Sequence, residues 1–279
     1  MFFKNLRNHG SKKHILNIIG KEWKLAFTTP STALFITLLP IIIIFQALLY
    51  IYLIMRFAGA GVLMKTFLGG VMSEWIKMFS PESIGFSIND RFAIFFLAQF
   101  PLYMLLIPAM VAVSLAAFSI VEEKQAKTLE PLLATPVRTW ELLMGKALAG
   151  TIPSIIICWF CALLVFIILW IIGKGHLLTS VLNIQWYISL FILVPIVSLL
   201  TFMLGVIGSS RAKDVKSAQN LAVFVILPIL GLMVVQLSGI FFFTLPRLIL
   251  LVITFIIVNL IVLRISVKVF DRESIIIKW

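Results

Sequence analysis

The residues able to do chemistry in this chain are few, and most stand together in Val121–Lys146, V-E-E-K-Q-A-K-T-L-E-P-L-L-A-T-P-V-R-T-W-E-L-L-M-G-K. Glu122, Glu123, Lys124, Lys127, Glu130, Arg138, Glu141 and Lys146 crowd into this stretch, although only 12% of the chain is charged. Glu123 and Lys127 lie four apart with the acid first, the better order for a helical ion pair. Leu129, Leu132 and Leu133 share a face of the same turns, so the run reads as a short amphipathic helix. Pro131 weakens its last turn and Thr135-Pro136 ends it. The chemistry such a helix offers is docking, an apolar stripe with a charged border entering a groove on another protein. The plainer alternative is a solvated loop between two apolar spans.

Catalytic chemistry is poorly represented. Gly145-Lys146 is followed by Ala147, and Trp140 stands where a P-loop needs its first glycine, so nucleotide hydrolysis has to come from a partner. Cys158 and Cys161 form a C-x-x-C by letter count, but no other ligand type lies near and packing accounts for them. His9, His14 and His176 are scattered and outline no zinc or catalytic set. The chain is therefore expected not to be an enzyme, and to bind no cofactor or metal of its own.

The elements that position the charged run are apolar. At 279 residues and 62% hydrophobic, the composition is that of an integral membrane protein. The net charge of +12 does not indicate nucleic acid, because the basic residues flank apolar spans and form no patch. Six spans are expected, at 33–55, 92–119, 147–172, 186–208, 218–236 and 248–267, each about the 20 residues that cross a ~30 Å hydrocarbon layer. With every backbone polar group to be paired inside the span, helix is the assignment. The second span exceeds the requirement and is expected to carry the charged run clear of the lipid.

Placing the N-terminus inside puts 17 of the 23 lysines and arginines on the inner side, so both termini and the charged run are assigned to the cytoplasm. Residues 1–13 are expected as a cytoplasmic tail. In His14–Thr29 the stripe Ile15, Ile18, Ile19, Trp23, Ala26 and Phe27 suggests a helix in the headgroup layer, with Lys21, Glu22 and Lys24 off the stripe. A simple extension of the first span is the alternative. Between Arg56 and Arg91, Leu63, Phe67, Val71, Trp75 and Phe79 recur every four residues, predicting a helix on the outer leaflet, and Asn89 or Asp90 is the expected cap of the second span. The connection 237–246 is expected to dip back into the membrane.

No ionisable residue occupies a span centre, which argues against a proton- or ion-driven carrier. Gln46, Gln99, Thr201, Gln236 and Asn259 are the neutral polar groups left to line a substrate route or to bond neighbouring helices. Pro40, Pro101, Pro108, Pro153, Pro195 and Pro228 lie within five of the spans and are expected to kink them.

The order of residues in the charged run resembles the first cytoplasmic loop of the type-2 permease family of ATP-binding-cassette (ABC) transporters. The matching residues are Glu123, Lys124, Thr128, Leu129, Glu130, Leu132, Leu133, Thr135, Pro136, Val137, Glu141, Leu142, Leu143, Gly145 and Lys146. Arg211, Asp214 and Gln219 resemble the family's second, smaller cytoplasmic contact, and Phe270-Asp271-Arg272-Glu273 its habitual end. The resemblance implies an all-α exporter permease with six transmembrane helices in 33–268. An N-terminal interfacial helix would lie within 1–32, a coupling helix within 121–146, and a cytoplasmic tail at 269–279.

It further implies two P-loop ATPase subunits carrying ATP and magnesium, a second permease chain, identical or homologous, and residence in the cytoplasmic membrane among its lipids. Glu123 to Pro136, with Gly145 and Lys146, would then couple the chain to the ATPase. An ATP-independent channel or membrane scaffold is the alternative, and the two are told apart by whether a soluble P-loop protein co-purifies.

Overall fold

The computed structural model describes residues 2–28, 30–57, 65–125, 139–211, 215–239, 242 and 244–269, several of them, including 2–13 and 215–225, by backbone alone. The expected features at 58–64, 126–138, 212–214 and 270–279 lie outside the described residues. Among those described there are helices and connections and no strand. In chain order they are α1 (Phe2–Thr28), α2 (Pro30–Phe57), α3 (Phe67–Phe79), α4 (Ile88–Met104) and α5 (Leu106–Gln125). After these come α6 (Thr139–Ile171), α7 (His176–Val181), α8 (Ile184–Ile188), α9 (Val194–Arg211), α10 (Val215–Leu237) and α11 (Leu245–Val269).

Four segments among the described residues are long and apolar enough to cross a membrane: Ile88–Val121, Glu141–Ile171, Ile184–Ser209 and Leu245–Val267. Shorter apolar stretches, Ile36–Gln46 and Ile226–Leu237, belong to α2 and α10. The axis of the bundle is Ile88–Val121, 83% buried, whereas the outlying Leu245–Val267 is only 22% buried and leaves Ile249, Leu250, Ile253, Ile257, Leu260 and Ile261 facing outward. Helix α5 packs most extensively on α9, then on α6, α10 and α2. That α5–α9 contact depends on Gly205, where a Cβ would come within 2.8 Å of Ala116 Cβ and 3.3 Å of the Val113 backbone.

The prolines open carbonyls for other helices to bond. A proline has no N–H, so the carbonyl four residues earlier loses its partner, and in lipid that oxygen has to find another. Pro153 leaves the Ala149 carbonyl open, and Trp23 Nε1 of α1 donates to it at 2.9 Å. Pro108 leaves that of Met104 open, next to the break at Leu105 between α4 and α5, and the Cys158 thiol donates to it at 3.6 Å. At Ser189–Leu193 the helix widens to a five-residue repeat, the Val194 N–H reaching back to Ser189, so that Leu190 would look to Pro195. Trp159 Nε1 fills the gap, donating to the Leu190 carbonyl at 3.0 Å. Carbonyls opened at three prolines are thus each bonded by a side chain from another helix, and this is the use found for Cys158.

The far end of the bundle departs from several expectations. Helix α3 forms as its four-residue period predicts, but Val71 and Trp75 are buried on the bundle, Trp75 stacking on Phe79 and meeting Phe95 edge-on. Ser87, not Asn89 or Asp90, caps α4: its hydroxyl accepts from the Asp90 N–H at 3.2 Å and donates to the Asp90 carboxylate at 2.8 Å. Asp90 also pairs with Lys174 at 2.6 Å, tying α4 to the connection after α6. In the 237–246 connection, Phe242 packs edge-on against Phe79, and Gly239, at φ +70°, lies against Val71. That connection is held on α3.

Candidate functional site: a buried charge cluster at the roots of the charged loop

Helix α1 continues back to Phe2, so the segment expected as a tail extends the helix. It also lies against the bundle. His14 Nδ1 stands 3.7 Å from Glu141 Oε2, Ile18 covers Gly145, Glu22 bonds Lys146, and Trp23 bonds the Ala149 carbonyl. These contacts advance together along both chains, so α1 runs in the same direction as the first turns of α6. A Cβ on Gly145 would sit 2.9 Å from Ile18 Cγ2, and glycine is what admits α1 this closely. Trp23, expected as a headgroup anchor, is instead a half-buried tie between helices.

At the centre of this contact Lys146 is 1% exposed. Its ammonium donates to Glu22 Oε1 at 2.9 Å and to Ser119 Oγ at 2.7 Å, and makes an ionic contact with Glu123 Oε2 at 2.8 Å. The other Glu123 oxygen, Oε1, accepts from Lys21 at 3.1 Å. Ser119 and Glu123 are four apart on α5 and so share a face; Lys21 and Glu22 come from α1, and Lys146 from α6. Two lysines and two glutamates leave the cluster formally neutral. That neutrality makes its burial tolerable, since a lone desolvated ion costs several kcal/mol. An adjoining cavity between Glu22, Ser119, Lys146 and Phe202 measures about 20 Å³, room for roughly one water and no substrate.

This arrangement suits mechanical work better than chemistry. The charged loop leaves α5 beyond Glu123 and rejoins the bundle at α6, where Lys146 closes on that same Glu123. Both roots of the loop are therefore pinned together and pinned to α1.

A family model described as ABC-2 family transporter protein matches residues 16–244, most of the chain. The chain belongs to the ABC-2 transporter family. It is a multi-pass ABC permease subunit, and permeases of this family work with an ABC ATPase. No curated protein and no solved structure matches it significantly.

Within this ABC-2 permease the expected coupling residues divide. Glu123 and Lys146 are buried and spent on one another, on Glu22, on Ser119 and on Lys21, so their reach is internal, and Gly145 is covered by Ile18. Thr128, Leu129, Glu130, Leu132, Leu133, Thr135, Pro136 and Asp214 lie outside the described residues, as do the side chains of Lys124, Arg211 and Gln219.

The expected pathway residues are not gathered into one channel. Thr201 donates to carbonyls of its own helix, Val197 and Ser198. Asn259 bonds Ile196 and Phe255 backbone oxygens, joining α11 to α9. Gln46 lines an apolar groove of about 640 Å³ between α2, Tyr103 to Met110, and α10. Gln99 and Gln236 are buried at the far end. Among the described residues no three His, Cys, Asp or Glu side chains converge as a metal site.

Lys21 and Glu22 were expected only as polar residues off the stripe of the first helix, and Ser119 was not expected at the site at all. Glu22, expected off the apolar stripe, stands instead four residues from Ile18 and seven from Ile15, on the stripe's own face, and is buried. An acid at a core position asks for a buried cation.

Proposed function

We propose that this permease is the membrane half of an exporter driven by ATP hydrolysis on a separate subunit, and that α1, α5 and α6 move as one lever. All six apolar helices, α2 and α10 included, cross the cytoplasmic membrane, with both termini and the 121–146 loop inside. Two such permeases, identical or homologous, stand over two ATPase subunits. The loop's Leu129, Leu132 and Leu133 enter a groove on the ATPase, and Arg211, Asp214 and Gln219 make a second contact.

The observation that carries this reading is the Glu123–Lys146 closure with Glu22 at the loop's roots. A loop whose two ends are clamped to three helices passes displacement inward; separately tethered ends would let it swivel. The docked loop must also bind the open and closed ATPase states with different free energies, because coupling is a difference between states.

The test is a permease carrying Leu129→Asp and Leu132→Asp, co-expressed with its ABC ATPase partner. Membrane insertion should be unchanged, while co-purification of the ATPase and its stimulation by the permease are lost. Stimulation at the wild-type level would refute the docking assignment.

A further inference from the structure

At the end of the bundle opposite the charge cluster lies a cavity of about 40 Å³, walled by Trp75 and Phe79 of α3, Asn183, Trp186, Ser189 and Gln236. Gln185 of α8, Ala98, Pro101 and Leu102 of α4, and Leu248 of α11 complete it. Two of these groups are buried polar atoms with nothing to bond. Trp186 is 3% exposed and its Nε1 has no acceptor; Gln236 is 7% exposed and its Oε1 has no donor. Gln99, beside the lining residue Ala98 on α4, keeps both ends of its amide unpartnered at 7% exposure. Buried polar groups are paired in the great majority of cases, and each unpaired one costs roughly 1–3 kcal/mol. Here an open donor and an open acceptor belong to side chains that line one small space.

A hydroxyl both donates and accepts, so one hydroxyl can meet an indole N–H and an amide oxygen together. No charged side chain lines the cavity, which leaves a carboxylate or an ammonium uncompensated there. The volume admits one or two heavy-atom groups, so the cavity takes the tip of a molecule and not the whole. The indole and phenyl rings of Trp75, Phe79 and Trp186 give it apolar walls, and from Leu248 the next two side chains of α11, Ile249 and Leu250, are 45% and 64% exposed. An apolar tail would leave the cavity toward the outward side of α11, where Ile249 is exposed.

We propose that this cavity is a binding subsite for the neutral, hydroxyl-bearing head of an amphipathic molecule, with Trp186 as donor and Gln236 as acceptor.

The test uses the full chain labelled with 5-fluorotryptophan in phosphatidylcholine nanodiscs, whose headgroups carry no free hydroxyl. The Trp186 fluorine resonance is assigned by its loss in Trp186→Phe. Monoolein should shift that resonance saturably, and methyl oleate, with the same chain and no hydroxyl, should not. Gln236→Leu should weaken the monoolein midpoint roughly tenfold, the loss of about one hydrogen bond. A saturable shift by glycerol alone would uphold the hydroxyl site and assign it to a free polyol head.

No saturable shift with either monoolein or glycerol would overturn the proposal, leaving the cavity to water. So would equal midpoints for monoolein and methyl oleate. Should Gln236→Leu fail to fold, the wild-type comparison decides alone. The readout needs neither nucleotide nor an ATPase subunit, so its failure leaves the exporter reading standing, and the failure of that reading leaves this one.

Discussion

Lys146→Met is the substitution that most directly strips the lever of its clamp. The side chain keeps its length and loses its charge, so the cluster of Lys21, Glu22, Glu123 and Lys146 goes from formally neutral to −1. Glu22 loses its lysine, Ser119 its donor, and Glu123 one of its two lysines, keeping Lys21, which is 52% exposed and reaches one oxygen. Breaking a buried ion set by removing one member costs about 3–5 kcal/mol, because the carboxylates stay desolvated. At roughly 2–4 °C per kcal/mol for chains of comparable size, the purified permease should melt about 6–20 °C lower. Replacing the set as a whole is a different matter, since apolar side chains of similar volume are then neutral or stabilising. Lys146→Met with Glu22→Met and Glu123→Met should accordingly regain most of that loss. The assay is thermal unfolding in detergent followed by size-exclusion chromatography. A single variant melting within 2 °C of wild type, or a triple variant no better than the single, refutes the reasoning that these ions are desolvated partners.

Gly145→Ala places a methyl against Ile18, should cost about 1–3 kcal/mol as overpacking does, and should be largely rescued by Ile18→Ala; equal losses in single and double variants would show that α1 does not rest there. Pro153→Ala restores an N–H able to bond the Ala149 carbonyl, in competition with Trp23. Hydrogen exchange at the Trp23 indole should accelerate by about tenfold, the weakening of one hydrogen bond, and an unchanged rate would mean that the proline is not what frees that oxygen.

The long apolar helices were legible because hydropathy and span length need no knowledge of neighbours. The period of Phe67, Val71, Trp75 and Phe79 likewise located α3, although Val71 and Trp75 of that stripe are buried in the bundle while Phe67 stays exposed. Local signals failed where two partners far apart in the chain compete for one group. Asn89 and Asp90 looked like caps, and Ser87 took the place because its hydroxyl can both give to and take from Asp90. Trp23 looked like a headgroup anchor until a carbonyl freed by Pro153, 130 positions away, turned out to be its acceptor.

By itself the sequence determined that this chain is a helical membrane protein with one concentrated charged loop, because burying apolar residues in lipid and pairing their backbones leaves no other economy. It determined the family as well, through the order of residues in that loop. Only the tertiary structure decided that Glu123 and Lys146 face inward to Glu22, and that proline-freed carbonyls receive Trp23, Cys158 and Trp159. A charged side chain reads the same in sequence whether it meets water, another protein or a counter-ion 124 residues away. The difference lies in which helices pack side by side, and that is set by the shape of the whole bundle.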